Sequence, residues 1–130
     1  MAPLTPEALQ RIQTRCVDPL ELLLTKTKTK TGDGPVPELF NDNLESLLNQ
    51  VVQIMAGFMS LRPKEGEKER ELFVKVFKEL MVLDSRIREY YRQRKAFLTA
   101  DREYDIYHII STISWAQIHY TNVLDYSEPQ

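Results

Sequence analysis

The sequence predicts an all-α protein, an antiparallel up-and-down four-helix bundle whose first helix is kinked or broken near Pro19. Three observations carry this reading. Apolar residues recur at three- and four-residue steps along three long stretches, the spacing that lines one side of a helix. Helix-starting residues and clusters of helix breakers fall between those stretches. The length of 130 residues, with 42% hydrophobic and 28% charged side chains, suits one core of ordinary domain size.

The first helix opens at Thr5-Pro6-Glu7. Threonine caps the first turn, and proline fits the first helical position because its missing N–H has no partner there in any case. Leu9, Ile12 and Cys16 follow at helical spacing. Pro19 then intervenes, and Asp18-Pro19-Leu20-Glu21 reads as a fresh start with Asp18 as cap and Glu21 reaching back. Residues from about 27 to 37 read as a loop, because Gly32-Asp33-Gly34-Pro35-Val36-Pro37 concentrates turn residues and breakers. The second helix runs from Pro37 to Leu61, with a stripe of Phe40, Leu44, Leu47, Leu48, Val51, Ile54, Met55, Phe58 and Leu61. Gly57 inside it costs about 1 kcal/mol relative to alanine unless a neighbouring helix must approach at that point.

Arg62-Pro63-Lys64-Glu65-Gly66 ends the second helix. Glu67, Glu69 and Glu71 then place carboxylates in the first turn of a third helix, where the helix dipole favours them. Its stripe is Phe73, Val76, Phe77, Leu80, Leu83, Ile87, Tyr90, Tyr91 and Phe97, and its range about 67 to 98. Thr99 or Asp101 caps the fourth helix, striped by Ile106, Ile109, Ile110, Ile113, Ala116, Tyr120, Val123 and Leu124. Short links place sequential helices side by side. Residues 127–130 read as a polar tail, and the whole of 1–130 as a single helical-bundle domain.

Composition excludes several classes of function. The net charge of −2 gives no general attraction to nucleic acid or anionic lipid. No apolar run reaches the ~18–20 residues of a spanning helix, so no membrane partner is expected. The amino terminus lacks the basic start and apolar stretch of a secretory signal. One cysteine, Cys16, forbids an internal disulfide and suits a reducing compartment, so the expected location is cytoplasm or nucleus.

The chemistry-bearing residues do not assemble into a catalytic motif. His108 and His119 share a helix face, but eleven residues of helix separate them by about 16 Å, too far to hold one metal ion. Asp105-Ile106-Tyr107-His108 is a single carboxylate-x-x-His unit where a bundle di-iron site needs two. Nothing resembling a nucleophile elbow surrounds Cys16, and no glycine-rich phosphate loop is present. The sequence thus predicts no catalytic residue, no metal and no cofactor. Leu20-Glu21-Leu22-Leu23-Leu24 and Leu44-Glu45-Ser46-Leu47-Leu48 resemble the nuclear-receptor box in those five positions only, and their leucines lie on stripes the bundle core requires.

Two regions point outward. In the fourth helix, Tyr104, Ile106, Tyr107, Ile109, Ile110, Ile113, Trp115, Ile118, Tyr120 and Tyr126 spread around more than one face, with Trp115 and Ile118 off the main stripe. Val52, Met55 and Met59 widen the second helix beside its seam. A helix apolar nearly all round contacts something besides its own bundle or is fully surrounded, and Trp and Tyr concentrate binding energy at interfaces. At the end of the third helix, Arg86, Arg88, Arg92, Arg94, Lys95 and Arg102 cluster among Asp84, Glu89, Asp101 and Glu103. The expected function is therefore a non-catalytic interaction subunit or adaptor. It binds protein partners or a second copy of itself through helices two and four, with Trp115, Ile118 and Tyr126 as anchors and Arg88, Arg92 and Arg94 at the polar rim. The alternative is a nucleic-acid or phosphate-binding module built on the arginine-rich end. A third reading is a small enzyme or ligand carrier with an interior pocket drawn from His108, Ser111, Ser114 and Gln117.

Overall fold

The computed structural model describes residues 3–28 and 43–125. They form a helical bundle: α1 (Pro6–Ile12), α2 (Asp18–Lys26), α3 (Leu44–Ser60), α4 (Glu67–Arg94) and α5 (Ala100–Tyr120). No strand occurs among the described residues.

α1 and α2 are one rod joined by a π-helical turn, Gln13–Val17. Pro19 explains the turn. It has no N–H to donate, and its ring would strike the carbonyl of Arg15 in a regular helix. Widening the preceding turn relieves the conflict, with the Asp18 N–H bonded to the Gln13 carbonyl five residues back. The irregularity thus falls just before Pro19, and the fresh start expected at Asp18 does not form. Asp18 is helical, and its carboxylate accepts a 2.7 Å hydrogen bond from the Gln13 side chain instead of capping.

The other helix starts use their local chemistry. The Thr5 hydroxyl accepts from the Ala8 N–H, and Thr99 accepts from the Arg102 N–H. α3 begins at Leu44 behind Asn43, which is non-helical and whose side chain accepts from the Ser46 N–H at 2.9 Å. The helix that the sequence carries back to Pro37 is therefore shorter, and Pro37 and Phe40 lie outside the described residues. So does most of the expected loop, but its first residue, Thr27, is a buried end of α2 bonded to the Leu23 carbonyl. At the far end of α4 a short 3-10 turn, Lys95–Phe97, leaves Phe97 83% exposed rather than on the core stripe. A second π turn, Thr121–Asp125, extends α5.

Chain direction alternates from rod to rod, as expected. The carboxy end of α3 meets the start of α4 through Phe58 and Phe73, and the end of α4 meets the start of α5 through Tyr91 and Glu103. The neighbour order is less simple. The first rod packs on α3 and α4, and α5 packs on the same two helices. α3 and α4 touch little along their backbones and meet across the core through large side chains, although only residues 61–66 join them.

One apolar cluster links every helix, including Leu20, Leu47, Ile54, Phe58, Phe73, Leu80, Ile87 and Ile109. The approach of the first rod to α3 is closest at Gly57. A Cβ there would stand 2.5 Å from the Cys16 Cβ, so glycine inside this helix is explained by contact. Glu69, expected only to favour the start of α4, is buried and accepts the Leu4 N–H at 2.8 Å, tying the amino-terminal segment to that helix.

Candidate protein-binding face

The inward side of α5 carries Ile106, Ile109, Ile113 and Ala116, all fully buried. At 100° per residue, Tyr104, Ser111, Trp115 and Ile118 fall on the opposite side, with Tyr107 at its edge. These large apolar residues remain exposed: Tyr104 by 67%, Trp115 by 60%, Tyr107 by 50% and Ile118 by 48%. On α3, Val52 and Met59 are also about half exposed, whereas Met55, expected beside them, is buried in the core. The stripe that folds the bundle and the stripe that faces outward are thus separate surfaces of one helix. Tyr126, the third expected anchor, lies outside the described residues.

Tyr107 is the polar hinge of this face. Its hydroxyl is 2.7 Å from that of Tyr91 on α4 and donates to Glu103 at 3.1 Å. Tyr91 donates to the same carboxylate oxygen at 2.9 Å. These hydrogen bonds and the Glu103 charge push the Tyr91 phenol above its ordinary range. Tyr107 is therefore held in place by the α4–α5 link.

The arginines at the end of α4 are not gathered into one face. Arg86 donates to the Leu24 carbonyl at 2.5 Å and to the Thr27 hydroxyl at 3.0 Å, closing the end of α2. Arg88 pairs with Asp84 one turn away at 2.8 Å, and Arg92 pairs with Glu89. The Arg92 and Gln93 hydrogen bonds hold the Glu89 carboxyl down at about 2. Arg102 donates to the Tyr90 hydroxyl at 3.2 Å. Of the three arginines expected at a polar rim, Arg88 and Arg92 are exposed but engaged with carboxylates, and Arg94 is half-buried. Each pair neutralises charge that a phosphate would need.

The remaining chemistry-bearing groups are packed rather than convergent. His108 is exposed and its ring meets Tyr104 edge-on at 5.9 Å. His119 is half-buried and edge-on to both Phe58 and Phe73, at 5.6 and 5.7 Å. Its Nε2 is buried with no hydrogen-bond partner among the described residues, and burial lowers its pKa. Ser114 donates to the Ile110 carbonyl, while Ser111 and Gln117 are exposed, so these residues line no common interior pocket with His108. Cys16 is wholly buried against α3, and burial, aided by the Glu79 charge, pushes its thiol up to about 12. Such a thiol carries almost no thiolate at neutral pH. No cluster of three or more His, Cys, Asp or Glu able to hold a metal ion occurs among the described residues. Nor is any described helix long and apolar enough to cross a membrane.

The leucines of both Leu-x-x-Leu-Leu segments serve the core: Leu20, Leu23, Leu44 and Leu47 are buried, and Leu24 and Leu48 pack against them. No protein-family model matches the chain, and no curated protein or solved structure matches it significantly.

Proposed function

We propose that the chain is a non-catalytic protein–protein interaction module that docks a partner on the outward face of α5, widened by the exposed side of α3. The observation that carries this reading is the double-sided character of α5. Four large apolar residues stay in water on the side its own core does not use. Scattered exposed apolar residues are ordinary, but aromatic residues repeated along one helix face favour association. Trp115 supplies the largest flat surface and Ile118 the adjoining aliphatic contact. Val52 and Met59 extend the apolar surface, and the ion-paired end of α4 borders it with polar groups.

The test uses the full chain with Trp115→Ala and Ile118→Ala, singly and together. Because both side chains are about half exposed or more, the fold is expected to survive, with denaturation midpoints near that of the unaltered protein. The affinity for a co-purifying partner, or for a second copy in sedimentation equilibrium, is expected to fall by more than ~1 kcal/mol for Trp115→Ala. Unfolding of the Trp115→Ala chain, or undiminished association of the double variant, would remove the proposal.

A further inference from the structure

We propose a second binding site, in the cleft between the first rod and α3, for an acidic amphipathic helical segment of a partner protein. The open cleft has a volume of about 980 Å³ and runs from Leu4 to Arg15 on one side and from Gln53 to Arg62 on the other. That is roughly 15 Å of helix, or three turns. Its accessible apolar lining includes Leu4 and Met59, which also borders the exposed side of α3, above the buried Ile12 and Leu61. Its charged groups are Arg11, Arg15 and Arg62. No carboxylate among the described residues lines it.

The contrast with the other arginines of the molecule makes this pattern informative. At the end of α4, Arg88 and Arg92 stand beside carboxylates that neutralise them. Arg11 and Arg15 are exposed, and among the described residues neither is ion-paired. In a chain of net charge −2, the unpaired charge of Arg11 and Arg15 over an apolar furrow is a local arrangement and not a general property.

Shape and charge together select the occupant. Arg11 and Arg15 are about one turn apart across the start of the π-helical turn, a spacing that suits carboxylates one turn apart on a docked helix. Small residues deepen the furrow: Ala8 on one side, Ala56 and Gly57 on the other. A helix laid there sets an apolar stripe on the floor and its acidic residues against the guanidinium groups, which accept carboxylates in bidentate geometry. The cleft opens along its length and so does not enclose a single acyl chain.

The test selects peptides of about four turns from a displayed random library on the intact protein and, in parallel, on the Arg11→Glu/Arg15→Glu variant. The expected outcome is enrichment of peptides that combine acidic residues one turn apart with an apolar stripe. Their synthetic versions should bind the unaltered protein and lose ~10-fold or more in affinity on the charge-reversed variant, with a smaller loss for Arg11→Gln/Arg15→Gln. Both side chains are exposed, so circular dichroism should report intact folding, and the Gln pair keeps the test readable if charge reversal disturbs the rod. Trp115→Ala should bind the same peptides undiminished, which separates this site from the α5 face. Failure to enrich any peptide, enrichment of peptides without acidic residues, or equal binding to the variants would overturn the proposal. Arginine-dependent sedimentation with phosphatidylglycerol-containing vesicles, without acidic peptides being selected, would assign the cleft to a lipid surface and likewise overturn it.

Discussion

The two ends of the bundle use the same kind of residue for opposite purposes. At one end, Phe58 of α3 stacks on Phe73 of α4 with ring centroids 4.5 Å apart, and Tyr120 of α5 stacks on Phe77 at 4.0 Å. His119 closes the group edge-on, so three helices meet through rings packed face to face and edge to face. At the other end, Tyr90 and Tyr91 of α4 face Arg102, Glu103 and Tyr107 of α5 and are joined by hydrogen bonds. Stacked rings mark the first end; directional hydrogen bonds, from buried Tyr90 and half-exposed Tyr107, are added to burial at the second. An aromatic stripe therefore has two fates. Its rings pack against one another at the first end; at the second they are tied by hydrogen bonds, Tyr90 from within the core and Tyr107 from a half-exposed position. The outward face of α5 continues the second kind.

Phe73→Ala is expected to break this comparison most visibly. Phe73 is fully buried and touches rings from both α3 and α5. Truncation is expected to cost about 3–5 kcal/mol in chemical denaturation, from lost transfer energy and the cavity left behind. A loss below ~1 kcal/mol would show that the ring cluster does not organise its end of the bundle. Gly57→Ala probes the same region from the side of the first rod. Alanine gains about 1 kcal/mol in helix propensity, but its Cβ would fall 2.5 Å from the Cys16 Cβ, and overpacking costs about 1–3 kcal/mol. Net destabilisation is expected, and it should be relieved by pairing the change with Cys16→Gly. A more stable Gly57→Ala protein would mean that the rod shifts away freely.

Much of this was legible before any coordinates. The stripes of the α3, α4 and α5 regions name nearly every buried residue, because a 3.6-residue period and a single core leave one side per helix. Thr5 and Thr99 announce their caps by residue type alone. Pro19 announced an irregularity, but a π turn and a break satisfy its missing donor equally well on paper, and the choice depends on how closely the first rod must follow α3. The cap at Asn43 lies inside the apolar stripe that the sequence carries back to Phe40, so the spacing alone does not mark the start of α3. The side-by-side order of successive helices failed for α3 and α4 because a six-residue link constrains direction more tightly than which neighbours are shared. The arginine cluster of residues 86–102 is dense in the sequence; in the fold Arg88 and Arg92 are matched by carboxylates of their own helix, Arg86 turns to α2 and Arg102 meets the Tyr90 hydroxyl. Nothing in the sequence sets Arg11 and Arg15 apart, since their surroundings depend on a furrow that α3 completes.

Acidification sharpens the contrast between the two ends. Burial lowers the pKa of His119 below the ordinary histidine value of about 6.5, and no nearby charge contributes to that shift. The folded state therefore resists a proton that the unfolded chain accepts. The stabilising contribution of neutral His119 is complete above the unfolded value and declines as pH falls through it toward the lower folded value. Glu79 acts in the opposite sense, because burial raises its pKa and the folded state gains as that carboxyl is protonated. Comparing the unaltered protein with His119→Gln across about pH 5 to 7.5 isolates the first effect: the difference in stability should shrink on acidification. A constant difference would mean that the ring takes up its proton without disturbing Phe58 and Phe73.

The smallest effect on folding is expected from Tyr107→Phe, at the hydrogen-bonded end. The change removes one hydroxyl from the group of Tyr91, Tyr107 and Glu103 and keeps the ring, which meets Tyr91 at a centroid distance of 5.3 Å. Tyr91 retains its own bond to Glu103, and water can replace what is lost because Tyr107 is half exposed. The denaturation midpoint is therefore expected to stay close to that of the unaltered protein. The Tyr91 phenol should respond, because the hydrogen bond to Tyr107 is the foremost cause of its raised pKa. Spectrophotometric titration of the tyrosines should show one phenol ionising at lower pH in the variant. A large drop in stability with no change in that titration would place Tyr107 in the same class as Phe73, and the two ends of the bundle would no longer differ in kind.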